Sequence, residues 1–293
     1  MAELALPDPA LLANVSASAH AIVRRPSPCV PAGAMMLTYA EDGGLRALAF
    51  QRVASLRCLM ARLLSVLTFA DAIPGSQLVV HTFWTSPPKP SSRYHAATWL
   101  KWHLLAAALR GCAQVLHLDA DVLVLRNPFD HLPRTDQVAV AYQSERICTA
   151  DRRDCPVNGG LLVARSLSLV HSVLSRQSMR GFQLDQQAAT LPIFRSRHIH
   201  LPDAFVGHCW FWKGFGPLPD PAERQRLLCG AATYHACGLS PKLKMPTLKA
   251  VLNQTTAAAC SKYRRRRRRL MAHHPPIPGQ YQVHVGRRGA QAR

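Results

Sequence analysis

Two carboxylates one residue apart, Asp119 and Asp121, stand between the apolar runs 115–118 and 122–125. The first run has strand length and polar borders, the pattern of a strand covered on both faces. An Asp-x-Asp at the end of such a strand delivers two oxygen ligands to the carboxyl edge of a sheet, where open α/β sheets bind ligands. Hard divalent cations take such oxygens, and Mg²⁺-like ions typically combine one or two carboxylates with substrate phosphates. The chemistry indicated is metal-assisted handling of a diphosphate. Two solvated acids closing a strand are the plain alternative, and residues elsewhere in the chain have to decide.

Five further groups could join the acids. Lys101 falls in an apolar, helix-patterned stretch just upstream, where a lysine alone would be a snorkelling surface residue. Asn158-Gly159-Gly160 precedes the apolar Leu161-Leu162-Val163. Glycines let backbone approach a ligand, and an asparagine amide both donates to and accepts from a sugar hydroxyl; a simple turn reads the same way. Asp185-Gln186 opens another apolar stretch, as a helix cap or as a carboxylate and amide facing a substrate. His235-Ala236-Cys237-Gly238, followed by Lys242, combines an imidazole, a flexible glycine and an ammonium. Mn²⁺ accepts mixed oxygen and imidazole donors, and lysine offsets phosphate charge. His208 is the rival imidazole. Trp210-Phe211-Trp212 offers aromatic faces for a ligand, or core packing.

The elements that must position these groups alternate along the chain. Residues 34–39 read as a first strand, and Gly43-Gly44 opens a helix reaching about residue 70. A second strand covers 78–84, an amphipathic helix 94–109 stops at Gly111, and the Asp-x-Asp strand follows. Short strands at 138–142 and 161–164 complete the reading. Strands alternating with helices imply an α/β layered fold with a mostly parallel central sheet flanked by helices.

At 293 residues the chain is long enough for one large α/β domain, with ordinary apolar content. Its net charge of +20 is unevenly spread, since residues 261–293 hold ten Lys/Arg and no acid. Residues 1–34, rich in Pro, Ala and Ser, are expected to be a poorly ordered extension, and 256–293, with Arg264 to Arg269, a basic disordered tail. Between them, 35–255 are expected to form the main domain, in two halves at about 35–140 and about 141–255. The arginine run leaves a nucleic-acid-binding reading open, although no nucleic-acid module is recognisable.

Nine scattered cysteines do not describe a disulfide-built scaffold, and the absence of Cys-x-x-Cys argues against structural zinc. Cys148 and Cys155 read as a pair or as two free thiols. Asn14-Val15-Ser16 and Asn253-Gln254-Thr255 are glycosylation sequons. No apolar run of about 18 residues indicates a transmembrane segment, and the N-terminus lacks a basic-then-apolar signal pattern.

Taken in order, Lys101, the Asp119-Ala120-Asp121 strand end, Asn158-Gly159-Gly160, Asp185-Gln186 and His235-x-x-Gly238 resemble nucleotide-sugar glycosyltransferases of the GT-A fold. The nearest likeness is to the glycogenin-type enzymes of glycosyltransferase family 8 and to proteins with a nucleotide-diphospho-sugar transferase domain, over about residues 35–252. The resemblance implies a transferase that moves a sugar from a nucleotide-diphospho-sugar, a UDP-sugar by preference, to a glycan or glycoprotein acceptor with retention. It implies that Asp119, Asp121 and His235 hold Mn²⁺ (or Mg²⁺). Thr38, Tyr39, Lys101, Asn158, Gly159, Gly238 and Lys242 would bind the donor, Asp185 and Gln186 would act at the sugar, and Trp210 and Trp212 would face the acceptor. It also implies a Golgi lumen, with the cytosol as the alternative. Two positions depart from the pattern: the Gly238-to-Lys242 gap is one residue longer than is common, and Ala40 stands where an acid often grips the nucleoside. A sugar-nucleotide binder without turnover is the further alternative.

Overall fold

Leu11, Val15, Ala19 and Ile22 recur at helical spacing and lie buried along one side of helix α1 (Pro9–Val23). The computed structural model describes residues 6–40, 56–67, 93–133, 138–145, 156–177, 185–211, 219–263 and 265. Asp8 caps α1 by accepting a hydrogen bond from the Ala10 amide at 2.8 Å, and Pro9 supplies the fixed φ of a first helical turn. The poorly ordered extension expected over residues 1–34 therefore contains a packed helix. Its apolar stripe is spaced widely enough to be hidden by the Pro, Ala and Ser around it.

Six strands form the main sheet, in the order β2 (Leu63–Leu67), β1 (Ala34–Ala40), β3 (Gln114–Leu118), β6 (Val157–Ala164), β5 (Val140–Ser144) and β7 (His198–His200). β1 runs parallel to β2 and β3, and β5 parallel to β7; β6 is antiparallel to both of its neighbours. Both faces are covered. Met35, Leu37 and Val115 join one core with α1 and helix α3 (Arg93–Leu109), while Met36, Leu116 and Leu118 face a second core. The period-two alternation thus has apolar residues on both sides, as a covered sheet requires.

Helices α4 (Leu167–Leu174) and α5 (Asp185–Arg195) complete the first core. A second sheet has the order β4 (Val122–Val124), β9 (Thr233–His235) and β8 (Phe205–Gly207). Helices α6 (Pro221–Gly230) and α7 (Pro241–Gln254) pack on it around Leu123, Tyr234, Leu228 and Leu248. This small sheet grows directly out of the Asp-x-Asp turn, so it ties the C-terminal third of the chain to the end of β3.

Three readings change. The helix expected up to residue 70 ends early, as α2 (Leu56–Met60), and Leu63–Leu67 is a buried strand. A short continuous apolar run cannot be assigned to helix or strand by periodicity alone. Asn158, Gly159 and Gly160 lie inside β6 rather than ahead of a strand. The strand read at 78–84 and the helix start at Gly43-Gly44 lie outside the described residues.

Cys29–Cys58, Cys209–Cys237 and Cys229–Cys260 are disulfides, so six cysteines staple loops that the scattered spacing left unpaired. Cys112 is free, and burial pushes its thiol up to about 12. Cys148 and Cys155 lie outside the described residues. Among the described residues no helix is long and apolar enough to cross a membrane.

Candidate metal centre and active site

β3 ends at Leu118, and the chain turns so that Val122 N–H donates to the Asp119 carbonyl at 3.1 Å. Asp119 N–H donates to the Gly160 carbonyl at 2.7 Å, and Ala236 N–H donates to the Asp121 carbonyl at 3.0 Å. The β4–β9 pairing sets Val122 opposite His235. Backbone bonds alone therefore bring a distant histidine to the turn. One ligand atom from each of Asp119, Asp121 and His235 lies within 4.8 Å of the others.

The β5–β6 register jumps from Tyr142–Leu162 to Gln143–Asn158, so Gly159, Gly160 and Leu161 bulge from that ladder on the β6 side. A bulge of this kind re-aims backbone beside a site. A Cβ on Gly160 would lie 2.7 Å from Asp119 Oδ2 and 2.8 Å from His235 Nε2. The absence of a side chain at Gly160 leaves room for the Asp119 carboxylate and the His235 ring to approach β6. Two carboxylates and an imidazole match the mixed oxygen and nitrogen set that Mn²⁺ accepts.

The electrostatics agree. Burial pushes the Asp119 carboxyl up, but the Lys101 charge and the His117 hydrogen bond outweigh it and hold the group well below the ordinary carboxylate range. Burial opposes ionisation of Asp121 as well. His235 and Lys244 overcome both that penalty and the like charge of Asp119. Fully buried His117 lies with Nε2 2.9 Å from Asp119 Oδ1, and burial lowers its pKa. A carboxylate only accepts, so the ring donates from Nε2 and aims the Asp119 side chain. Lys244 Nζ sits 2.7 Å from Asp121 Oδ2.

Gly160→Ala tests this geometry. Gly160 has no positive φ, so alanine suits its backbone, but its methyl must displace the His235 ring and the Asp119 carboxylate. Mn²⁺ affinity, measured by calorimetric titration, should fall at least about tenfold, as when the shell of a metal site is disturbed. Unchanged affinity would show that the ion binds elsewhere.

A second cluster adjoins the first. Lys101 Nζ lies 3.0 Å from Asp185 Oδ2 and donates to the Gly159 carbonyl at 3.0 Å, with both side chains of the pair buried. Trp102 Nε1 donates to the same Asp185 oxygen at 2.8 Å. Lys101 is therefore not a snorkelling surface residue. Gln186, beside Asp185 at the start of α5, accepts from Gly159 N–H at 3.3 Å and donates to Glu145 Oε1 at 2.6 Å. Asn158 accepts from Gly160 N–H at 2.9 Å.

The remaining sequence candidates divide. Thr38 is buried at the carboxyl end of β1, in register with Leu118. Tyr39 stacks on His117 with centroids 5.8 Å apart and donates to the Ala97 carbonyl at 2.6 Å. Gly238, with φ at +74°, makes the turn from β9 into α7, a conformation glycine adopts without strain. Lys242 is exposed on the first turn of α7, and the ammonium that reaches the acids belongs to Lys244. His208 bonds to the Tyr234 hydroxyl and stays out of the ligand cluster. Trp210 is only 5% exposed and donates to the Ser144 carbonyl at 2.8 Å, which makes it core rather than an acceptor wall. Trp212 lies outside the described residues. His117, Gln143, Glu145 and Lys244 were not singled out from the sequence. His117 alone carried a signal, as a polar residue inside the apolar run.

Residues 86–190 match the family model described as nucleotide-diphospho-sugar transferase. That span holds Lys101, Asp119, Asp121, Asn158, Asp185 and Gln186. No curated protein matches the chain in sequence. Among solved structures, a glycosyltransferase involved in glycosylation of the major capsid of PBCV-1 is similar over 74% of this chain and 98% of its own, at 13% identity and a TM-score of 0.50. The galactosyltransferase LgtC, solved with donor and acceptor sugar analogs, aligns over 75% of this chain and 94% of its own, at 13% identity and a TM-score of 0.45. The chain accordingly shares the mixed α/β fold of the PBCV-1 structure, and residues 86–190 are similar to the nucleotide-diphospho-sugar transferase family.

Proposed function

We propose that the protein transfers a sugar from a nucleotide-diphospho-sugar, a UDP-sugar by preference, to a glycan or protein-linked acceptor, with Mn²⁺ or Mg²⁺ held by Asp119, Asp121 and His235. The observation that carries this reading is the convergence of those three residues around Gly160, next to the buried Lys101–Asp185 pair. A divalent cation bound there would offset charge developing on the departing diphosphate. The chain's own contribution is placement. Lys244 already sits at Asp121 and, in place of the Lys242 that the resemblance implies, is the lysine poised for a phosphate. Asp185 is oriented by Lys101 and Trp102, which suits a sugar-hydroxyl ligand or a stabiliser of a cationic anomeric centre. Gln186 stands beside it, held by Glu145. Thr38 and Tyr39 border the place for the base, and retention follows the family resemblance. Three disulfides favour an oxidising compartment and so support the luminal setting over the cytosol.

The Lys244–Asp121 ion pair favours one second reading. A lysine seated on a metal-ligand acid would also suit a protein that binds nucleotide-sugars without turnover. A screen of UDP- and GDP-sugars with Mn²⁺, Mg²⁺ or chelator separates the two. The transferase reading expects Mn²⁺-dependent release of sugar and nucleoside diphosphate, lost in Asp121→Asn. Thermal stabilisation by a donor without release would establish the binder. No response to any nucleotide-sugar with either metal would sink both.

A further inference from the structure

Gln143 lies wholly buried at the register jump between β5 and β6, where its backbone is paired with Asn158. Its amide joins two groups. Gln143 Nε2 donates to the Phe205 carbonyl at 2.8 Å, and Gln143 Oε1 lies 2.7 Å from His235 Nδ1. A carbonyl accepts only, so the bond to Phe205 fixes which end of the amide carries hydrogens. The oxygen therefore faces the ring, and Nδ1 must be the nitrogen that donates. In the neutral imidazole the other nitrogen, Nε2, is then bare. In that tautomer the Nε2 lone pair is directed at Asp121, with Oδ1 3.4 Å away, where a cation held by both would sit.

We propose that Gln143 is a positioning residue that sets the His235 tautomer and turns the Nε2 lone pair toward the metal. The inference rests on the metal reading above and assigns it an outer partner. Partners of this type fix ring orientation and ligand basicity in metal sites, and losing one typically costs about 10–100-fold in affinity.

Two variants separate the acceptor role from a structural tether. Gln143→Leu removes both bonds. Gln143→Glu keeps an acceptor for Nδ1 but gives up the donor to Phe205. Mn²⁺ binding is measured by calorimetry without any donor, and the His235 tautomer by long-range ¹H–¹⁵N correlation on metal-free protein. The native ring should carry its proton on Nδ1. Gln143→Leu should weaken Mn²⁺ about 10–100-fold and shift the proton toward Nε2, while Gln143→Glu should keep native affinity and the native tautomer. Equal affinity in native protein and Gln143→Leu, or equal loss in both variants, overturns the inference. The metal site itself would still stand if His235→Ala loses Mn²⁺. If native protein binds no Mn²⁺, the metal reading fails and the tautomer decides alone. A Gln143-dependent Nδ1 proton would support the assignment, and a native Nε2 proton would overturn it.

Discussion

His235→Ala should lower Mn²⁺-supported sugar transfer by about 100-fold or more, beyond the 10–100-fold typical of changes outside the ligand shell, while His208→Ala leaves it unchanged. His235 is buried with Nε2 at the acids, whereas His208 is bonded to the Tyr234 hydroxyl. The two substitutions remove the same ring from neighbouring strands or their ends, so general damage to the second sheet would affect both. Mg²⁺ is normally satisfied by oxygen and water, whereas Mn²⁺ also takes imidazole. The loss should accordingly be larger with Mn²⁺ than with Mg²⁺ in steady-state assays run side by side. A sensitive His208 and an insensitive His235 would mean that the β4–β9 register does not deliver a ligand.

Lys101→Met should destabilise the fold by about 3–5 kcal/mol, the cost of leaving a buried charge without its partner. Lys101 and Asp185 are 5% and 4% exposed, so water cannot replace the lost ammonium, and among the described residues Trp102 remains to donate. Adding Asp185→Asn removes the charge while keeping an acceptor for Trp102. The double variant should regain most of the stability in urea titrations and yet remain inactive, because Asp185 is proposed to act at the sugar. A loss below about 1 kcal/mol in Lys101→Met, the scale of an exposed ion pair, would show that water reaches this pair.

The strand that ends in Asp-x-Asp, the helix carrying Lys101 and the helix opening at Asp185 were all legible, because each joins a strong period to a clear boundary. β2 was not, since Leu63 to Leu67 has no alternation to separate strand from helix. The convergence of Asp119, Asp121 and His235 was expected only through family resemblance, because nothing local to His235 says that β9 will pair with β4. Lys244 was missed for a geometric reason. Residues two apart on a helix point about 200° apart, so Lys242 and Lys244 face opposite ways. The direction depends on where α7 begins, which Ser240 and Pro241 fix in the fold. Gln143 and Glu145 were illegible because their partners lie across a bulge and on another element. The paired glycines hinted at close approach, but not that β6 continues through them. Trp210 shows the opposite error, an aromatic that looked suited to a ligand and whose indole nitrogen is spent on backbone.

The central claim is that Asp119, Asp121 and His235 bind one divalent ion beside the diphosphate of a sugar nucleotide. Anomalous diffraction from crystals grown with Mn²⁺ and UDP tests it most directly. The account predicts one strong manganese peak beside Gly160, with His235 Nε2 and both carboxylates at about 2.0–2.3 Å, as is usual for first-row metals and their nitrogen and oxygen ligands, and with Lys244 on the phosphates. Ordered UDP with no manganese at those three residues, or manganese bound without His235, would contradict it.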